Sequence, residues 1–78
     1  MQIRLASFGE VSMRQILHNS GVPVAKCFRL AKVQFVRSDS SLVATYRVYF
    51  EDATVVTVDV YFDNISLQIK AGILDGSL

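Results

Sequence analysis

Side chains that could perform catalysis are few in this sequence, and their spacing does not group them. There is one histidine, His18, and one cysteine, Cys27. Neither is spaced to a carboxylate, or to the other, in a way that indicates a nucleophile–base pair or a metal site. Cys27 is interpreted as a small core residue and His18 as a surface helix residue. The acidic residues are interpreted as capping, turn or strand-surface groups: Glu10, Asp52, Asp59 and Asp63. The sequence therefore predicts a non-enzymatic protein with no catalytic residue, no cofactor and no metal.

Basic side chains are the other candidates for binding chemistry. If residues 23–32 are helical, Lys26, Arg29 and Lys32 lie roughly along one side, with no acid between them. The formal net charge is only +1, so the chain has no strong global field that would attract nucleic acid or an anionic membrane. Any such binding needs a local basic patch, and the patch depends on the elements that position these side chains.

Length and composition predict one folded domain. The 78 residues, with 51% hydrophobic and 19% charged side chains, suit a single domain, 1–78, and exclude disorder. Polar residues interrupt every apolar run, so a membrane span is not expected. Residues 1–5 lack a signal-peptide pattern, and one cysteine cannot form an internal disulfide. We expect a cytoplasmic protein.

Two kinds of local pattern open the chain. Residues 2–6 alternate polar and apolar side chains, which predicts a short strand that could add to a sheet edge. Two capping-box spacings follow, Ser7 with Glu10 and Ser12 with Gln15, and they cannot both begin the same helix.

The second helix start has extra support. Val11 and Ile16 stand at the positions of a hydrophobic staple around Ser12. Met13, Ile16 and Leu17 share one helical face, and Gly21 can adopt the left-handed conformation that ends a helix. A short amphipathic helix ending near Gly21 is predicted.

Residues 23–32 fit either a second helix or a strand. Pro23 is acceptable in a first helical turn. The apolar stripe of that helix would be Val24, Cys27, Phe28 and Ala31. Such a helix would make residues 13–32 similar to a helix-turn-helix, although Leu17 and Ser20 do not suit that motif. A helical pair that covers a sheet is the favoured interpretation.

The second half of the chain predicts a β-meander. Four runs are rich in β-branched and aromatic residues: 32–37, 42–50, 54–62 and 65–70. The connections between them are short enough for antiparallel hairpins.

The turn lengths predict a register with one apolar inner face. The predicted pairs are Phe62–Ile65, Val60–Leu67 and Val58–Ile69 in the last hairpin, Val48–Val56, Tyr46–Val58 and Ala44–Val60 in the middle hairpin, and Phe35–Ala44 and Val33–Tyr46 in the first. This face needs a cover, and the N-terminal helices are the only candidates of sufficient size. The expected fold is α+β, a four-stranded antiparallel meander with one or two helices on one face; a small β-barrel is the alternative.

The same register predicts rows of side chains on the outer face. They are Lys32, Arg47, Thr57 and Lys70; Gln34, Thr45, Asp59 and Gln68; Val36, Val43, Tyr61 and Ser66; and Tyr49 with Val55. A solvated sheet face is normally more polar than this. A partner-binding surface is therefore one interpretation, with its residues at Arg47, Tyr49, Tyr61, Val43 and Val36.

Three interpretations of the outer face remain open. It can be a solvated surface without a partner, because β-branched residues and tyrosine are good strand formers. It can bind protein, which makes the chain a small regulatory or inhibitor-like domain that self-associates through this face or an edge strand. It can also bind nucleic acid, through the row of Lys32, Arg47 and Lys70 or through the helix side of Lys26 and Arg29.

Overall fold

The computed structural model describes Leu5 and residues 7–78, and their order is two helices followed by four strands. The elements are α1 (Glu10–Asn19), α2 (Val24–Cys27), β1 (Leu30–Ser40), β2 (Val43–Phe50), β3 (Val55–Asp63) and β4 (Gln68–Asp75). The strands form one antiparallel sheet in the order β1-β2-β3-β4. The sheet is open, so the meander is confirmed and the barrel alternative is wrong. The strand predicted at residues 2–6 lies outside the described residues, apart from Leu5.

The first helix begins between the two predicted starts. Its N-cap is Gly9, with no side-chain cap, and the Met13 N–H donates to the Gly9 carbonyl at 3.0 Å. Both capping-box predictions are therefore wrong. The staple is wrong too, because Val11 lies within the helix and is 79% exposed. Packing on the sheet is the stronger determinant here: Met13, Ile16 and Leu17 are buried, as predicted.

The predicted end of α1 is confirmed. Gly21 has a φ of +98°, and its N–H donates to the His18 carbonyl. The next N–H, from Val22, donates to the Leu17 carbonyl. These two bonds form a Schellman motif, and Val22 and Leu17 are both buried beneath it.

Residues 23–32 resolve into a single helical turn followed by strand. α2 spans only Val24–Cys27, and β1 begins at Leu30, which is buried and lies opposite Phe50. The helix-turn-helix resemblance is therefore wrong. The predicted apolar stripe also fails, because Cys27 is buried while Val24 and Phe28 are exposed. Because the chain enters β1 at Leu30, where this side chain is buried, the helix has only one turn.

The central hairpin has the predicted register. Val48 lies opposite Val56, Tyr46 opposite Val58 and Ala44 opposite Val60, and all six side chains are buried. Even-numbered side chains of β2 and β3 therefore face inward, toward α1.

The first hairpin is shifted by two residues from the prediction. Phe35 lies opposite Tyr46 rather than Ala44, and Val33 opposite Val48. β1 continues to Ser40, so the turn contains residues 41 and 42, and irregularities on both sides of Arg37 absorb the extra length. The shift is even, so the inner face is kept, and the Phe35 ring packs edge-on against Tyr46 at a centroid distance of 5.6 Å.

The last hairpin is shifted by four residues, since Phe62 lies opposite Ile69 instead of Ile65. Asp63 organises the longer turn. Its carboxylate accepts from the Ile65 N–H at 3.2 Å, and its carbonyl accepts from the Leu67 N–H at 2.8 Å. Ile65 and Leu67, predicted as inner-face strand residues, are turn residues that are 94% and 72% exposed. Residues 71–75 take their place in the strand.

The end of α1 is joined to the free edge of β4. The Ala71 N–H donates to the Ser20 hydroxyl at 2.7 Å, and Asn19 Nδ2 donates to the Ile69 carbonyl at 3.1 Å. The Ser20 hydroxyl in turn donates to the Ile16 carbonyl. Backbone groups at a sheet edge normally lack partners, so these side chains close part of this edge and fix the helix on the sheet.

The described part of the chain contains no helix long and apolar enough to cross a membrane.

Val58→Asp is expected to prevent folding. Val58 is fully buried in a central strand. The lost apolar burial costs about 1.5–3 kcal/mol, and a buried unpaired carboxylate adds to that cost. Thr57→Asp, one residue away on the outer face, is the matched control and should fold. Amide dispersion in an NMR spectrum measures the result, and a dispersed spectrum for Val58→Asp would contradict the assigned inner face.

Ser20→Ala is expected to lower the free energy of unfolding by about 1 kcal/mol, because the Ala71 N–H loses its acceptor. Amide exchange at Ala71 should accelerate. Ser12→Ala, an exposed position in the same helix, controls for the change in helix propensity. Chemical denaturation and hydrogen exchange provide the two measurements; unchanged exchange at Ala71 would show that the edge does not depend on Ser20.

Candidate functional site

The predicted binding residues Arg47, Tyr49, Tyr61 and Val43 lie on the sheet face opposite α1, which we call the outer face. Arg47, Tyr49, Val36 and Val43 are half-buried, and Tyr61 is 36% exposed. The helices and the buried core lie on the other side of the sheet. Among the described residues, no helix or loop forms a layer over the outer face.

The predicted basic row of Lys32, Arg47 and Lys70 does not form. Lys32 lies opposite Tyr49, and Lys70 lies opposite Tyr61. The two-residue and four-residue register shifts are the cause, because each moves a lysine along its strand relative to Arg47. The rows in the structure are Lys32–Tyr49–Val55, Gln34–Arg47–Thr57–Asp75, Arg37–Thr45–Asp59–Gly72 and Val43–Tyr61–Lys70.

The remaining members of the predicted rows are also redistributed. Val43 lies opposite Tyr61, as predicted. Val36 falls at the irregularity between Phe35 and Arg37 and has no paired residue in β2. Ser66 lies in the turn before β4 and not in a strand row.

Gln34 holds two of the predicted binding residues in place. Its Oε1 accepts from the Tyr49 hydroxyl at 2.8 Å and from Arg47 Nη1 at 3.4 Å. Lys32 Nζ lies 5.3 Å from the centre of the Tyr49 ring, within range of a cation–π contact. These four side chains, Lys32, Gln34, Arg47 and Tyr49, are called the Gln34 cluster. The cluster presents a fixed aromatic ring beside two cations.

A polar contact and an aromatic cover lie beside the cluster. The Thr45 hydroxyl donates to Asp59 at 2.6 Å, and Thr45 is only 4% exposed although it belongs to the outer face. Tyr61 Cε1 would lie 4.0 Å from a Cβ added at Gly72, so the ring covers this glycine. Val55 adds an apolar side chain that is 44% exposed.

The cations proposed for a helix side do not lie together on one helix. Lys26 lies on α2, Arg29 follows α2, and Lys32 lies in β1. Lys26 Nζ is 2.8 Å from Asp52 and 4.5 Å from the centre of the Phe50 ring. Arg29 is exposed. Lys26 therefore joins α2 to the turn between β2 and β3.

Lys70 has an acidic neighbour of its own. Its Nζ lies 3.2 Å from Asp63 Oδ2. The pKa of Asp63 is lowered to about 2 because Ser66 Oγ, the Ile65 N–H and Lys70 all donate to its carboxylate. Asp52 also has a pKa well below its ordinary value, chiefly because Lys26 donates to it and secondly because Thr54 does. Both aspartates accept hydrogen bonds within the turns that contain them.

Other chemically active groups do not assemble into a site. Burial raises the pKa of the Cys27 thiol, which favours its protonated, unreactive form. Burial likewise raises the pKa of Tyr46, whose hydroxyl donates to the Leu5 carbonyl and accepts from the Phe8 N–H. Across Leu5 and residues 7–78, the side chains of His, Cys, Asp and Glu form no group of three suited to a metal ion.

The sequence pattern predicts Gln34 on the outer face but in a different row from Arg47, and it leaves Asp75 beyond the last predicted strand. Both follow from the register, which depends on bulge and turn positions that local pattern does not determine. Val11, Val24 and Phe28 are exposed, although the sequence predicts a staple contact for Val11 and an apolar helical stripe that includes Val24 and Phe28.

Comparison with protein-family models, with curated proteins and with solved structures finds no match to this chain.

The Asp63 turn gives a prediction about pH. Because the folded pKa is about 2 and the ordinary value is 3.8, the stability contributed by this carboxylate is complete above pH 3.8 and lost as pH falls toward 2. Ser66→Ala and Lys70→Gln should each raise the Asp63 pKa toward its ordinary value, because each removes a donor to the carboxylate. NMR titration of the carboxyl carbon measures both shifts. Asp63→Asn should remove this part of the acid dependence; an unchanged Asp63 pKa in both variants would contradict the assignment.

Proposed function

We propose that this chain is a non-enzymatic protein-binding domain of the regulatory type, which self-associates through its outer sheet face. The observation that carries the proposal is the Gln34 cluster on a sheet face that no described helix covers. Such a protein acts by occupying a surface of another macromolecule.

The composition of the face supports protein binding. Tyrosine and arginine are enriched at interface centres, where a large ring or a planar guanidinium loses water and gains directional contacts. Tyr49, Tyr61 and Arg47 supply these groups here. Val43 and Val55 add apolar surface around them.

Preorganisation supports it as well. Free side chains lose rotamer entropy when a partner fixes them, at about 0.5–1.5 kcal/mol each. Gln34 already holds Tyr49 and Arg47 through hydrogen bonds within the sheet. A partner that meets this cluster therefore loses less free energy in ordering it.

The charges favour a second copy as the partner. Arg47 lies on β2 and Asp75 on β4, and Thr57 of β3 lies between them in one row. A two-fold axis along β3 places β2 of one copy over β4 of the other in an aligned sheet packing. Arg47 of each copy then faces Asp75 of the other. The face is thus complementary to itself in charge.

Nucleic-acid binding has less support from the same geometry. The cations proposed to follow a phosphate backbone lie in different rows. Lys26 and Lys70 each lie beside an aspartate, which offsets their charge.

Charge reversal tests the self-association. Arg47→Glu and Asp75→Arg should each weaken dimerisation at least tenfold, about 1.4 kcal/mol, because each places like charges together across the two-fold axis. The double variant Arg47→Glu with Asp75→Arg should restore association. Sedimentation velocity across a concentration series measures the dimer dissociation constant.

Ile65→Glu is the matched control, because Ile65 is 94% exposed in the turn before β4 and is not a strand residue of the sheet. It should leave the dissociation constant unchanged, and thermal melts should show all variants folded. A wild-type chain that stays monomeric at millimolar concentration would overturn the proposal. A double variant no better than the single ones would overturn the two-fold arrangement.

A further inference from the structure

A second exposed surface lies on the opposite side of the molecule, between the two helices. Val11, Arg14, Gln15 and His18 recur at three- and four-residue spacings and so form one stripe along α1. This stripe faces α2 and its C-cap residue, Phe28, and the two sides enclose a groove. The lining residues are Val11, Arg14, Gln15, His18, Val24, Cys27 and Phe28.

The groove walls are apolar and open to solvent. Val11 is 79% exposed, Phe28 69% and Val24 55%. Cys27, 2% exposed, lies at the buried side. Isolated exposed apolar residues are ordinary, but a cluster around a concave surface is typical of a binding site.

Arg14 gives the groove a positive charge that has no negative partner among the described residues. Its Nη2 donates to the Leu30 carbonyl at 3.2 Å, while its Nε is buried without a hydrogen-bond acceptor. Among the described residues Arg14 forms no ion pair. Partial burial removes water from the guanidinium, which costs free energy. One neutral acceptor does not offset that cost as an opposite charge would.

The other polar residues that line the groove also lack negative charge. Arg14, Gln15 and His18 are its polar lining residues, and none carries a negative charge. Arg14 lines the groove and has no ion pair among the described residues, so a ligand carboxylate bound there would supply the opposite charge.

We propose that the α1–α2 groove binds a segment of another protein that combines apolar side chains with an aspartate or glutamate. The apolar side chains lie against Val11, Val24 and Phe28, and the carboxylate pairs with the Arg14 guanidinium. Grooves between helices bind amphipathic segments in this way, with anchors at helical spacings. The proposal is independent of the outer face, which lies on the other side of the sheet.

A random 16-residue peptide library, selected on the immobilised wild-type chain, tests the chemistry of the ligand. The selected peptides should be enriched in sequences with both apolar and acidic residues. One such peptide is then synthesised with its acidic residue as Glu and as Gln. The Glu peptide should bind at least tenfold more tightly to the wild-type chain, because only it pairs with Arg14.

Three variants locate the site. Val11→Ser and Phe28→Ser alter exposed walls and should weaken the Glu peptide at least tenfold. Arg14→Gln should weaken the Glu peptide but not the Gln peptide, so that the double-mutant cycle isolates the pair. Arg47→Glu on the outer face should change neither affinity. NMR spectra of each variant verify the fold.

Several outcomes would overturn the proposal. They are a selection that enriches nothing, enriched peptides without acidic residues, and peptides that bind Val11→Ser and Phe28→Ser as well as wild type. Loss of self-association in Val11→Ser or Phe28→Ser would identify the occupant as a second copy and would overturn it too. The first three of these results do not bear on the charge-reversal test of the outer face. The last would place the contact between copies in the groove, and the charge-reversal variants would then leave self-association unchanged.

Discussion

Burial of the central hairpin is the constraint on which the rest of this structure depends. β2 and β3 meet in three directly opposed apolar pairs, and every one of those six side chains is at most 1% exposed. Side chains alternate between the two faces of a strand, so fixing these pairs inward fixes Arg47, Tyr49 and Tyr61 outward. The tyrosine in this set, Tyr46, also binds the N-terminal segment through its hydroxyl. The same alternation of side chains along β2 and β3 therefore forms the core on one face and the candidate interface on the other.

The helical half serves that core and leaves other surfaces open. α1 buries Met13, Ile16 and Leu17 against the sheet, and its last turn supplies hydrogen bonds to the edge of β4. One edge strand therefore loses part of its capacity to pair with another chain. The stripe of α1 that begins at Val11 gains no cover, because α2 is only one turn long. The molecule consequently presents two chemically different surfaces: a sheet face that combines tyrosines with charges of both signs, and an apolar groove with a cation.

The two register shifts explain why the predicted inner face is confirmed while the predicted basic row on the outer face is wrong. Both shifts are even, two residues in the first hairpin and four in the last, so Val33, Phe35 and Ile69 stay on the inner face. They nevertheless move Lys32 and Lys70 away from Arg47 and bring Gln34 and Asp75 into its row. A basic row becomes a row with a hydrogen-bond acceptor, a cation and an anion. This change weakens the proposal of nucleic-acid binding relative to that of protein binding.

The sequence by itself determined the α+β meander, the inner face of its two central strands and the end of α1 at Gly21. Each of these rests on a short-range rule: period-two alternation, turn length, or the freedom of glycine to adopt a positive φ. Only the tertiary structure decided where α1 begins, how short α2 is, and which outer side chains are neighbours. Those features depend on competition between local preference and packing at a distance. α1 begins where Met13 can be buried and not at a capping serine. The second helix ends after one turn, because the chain enters β1 at the buried Leu30. β4 begins only at Gln68, because Asp63 forms a longer turn before it.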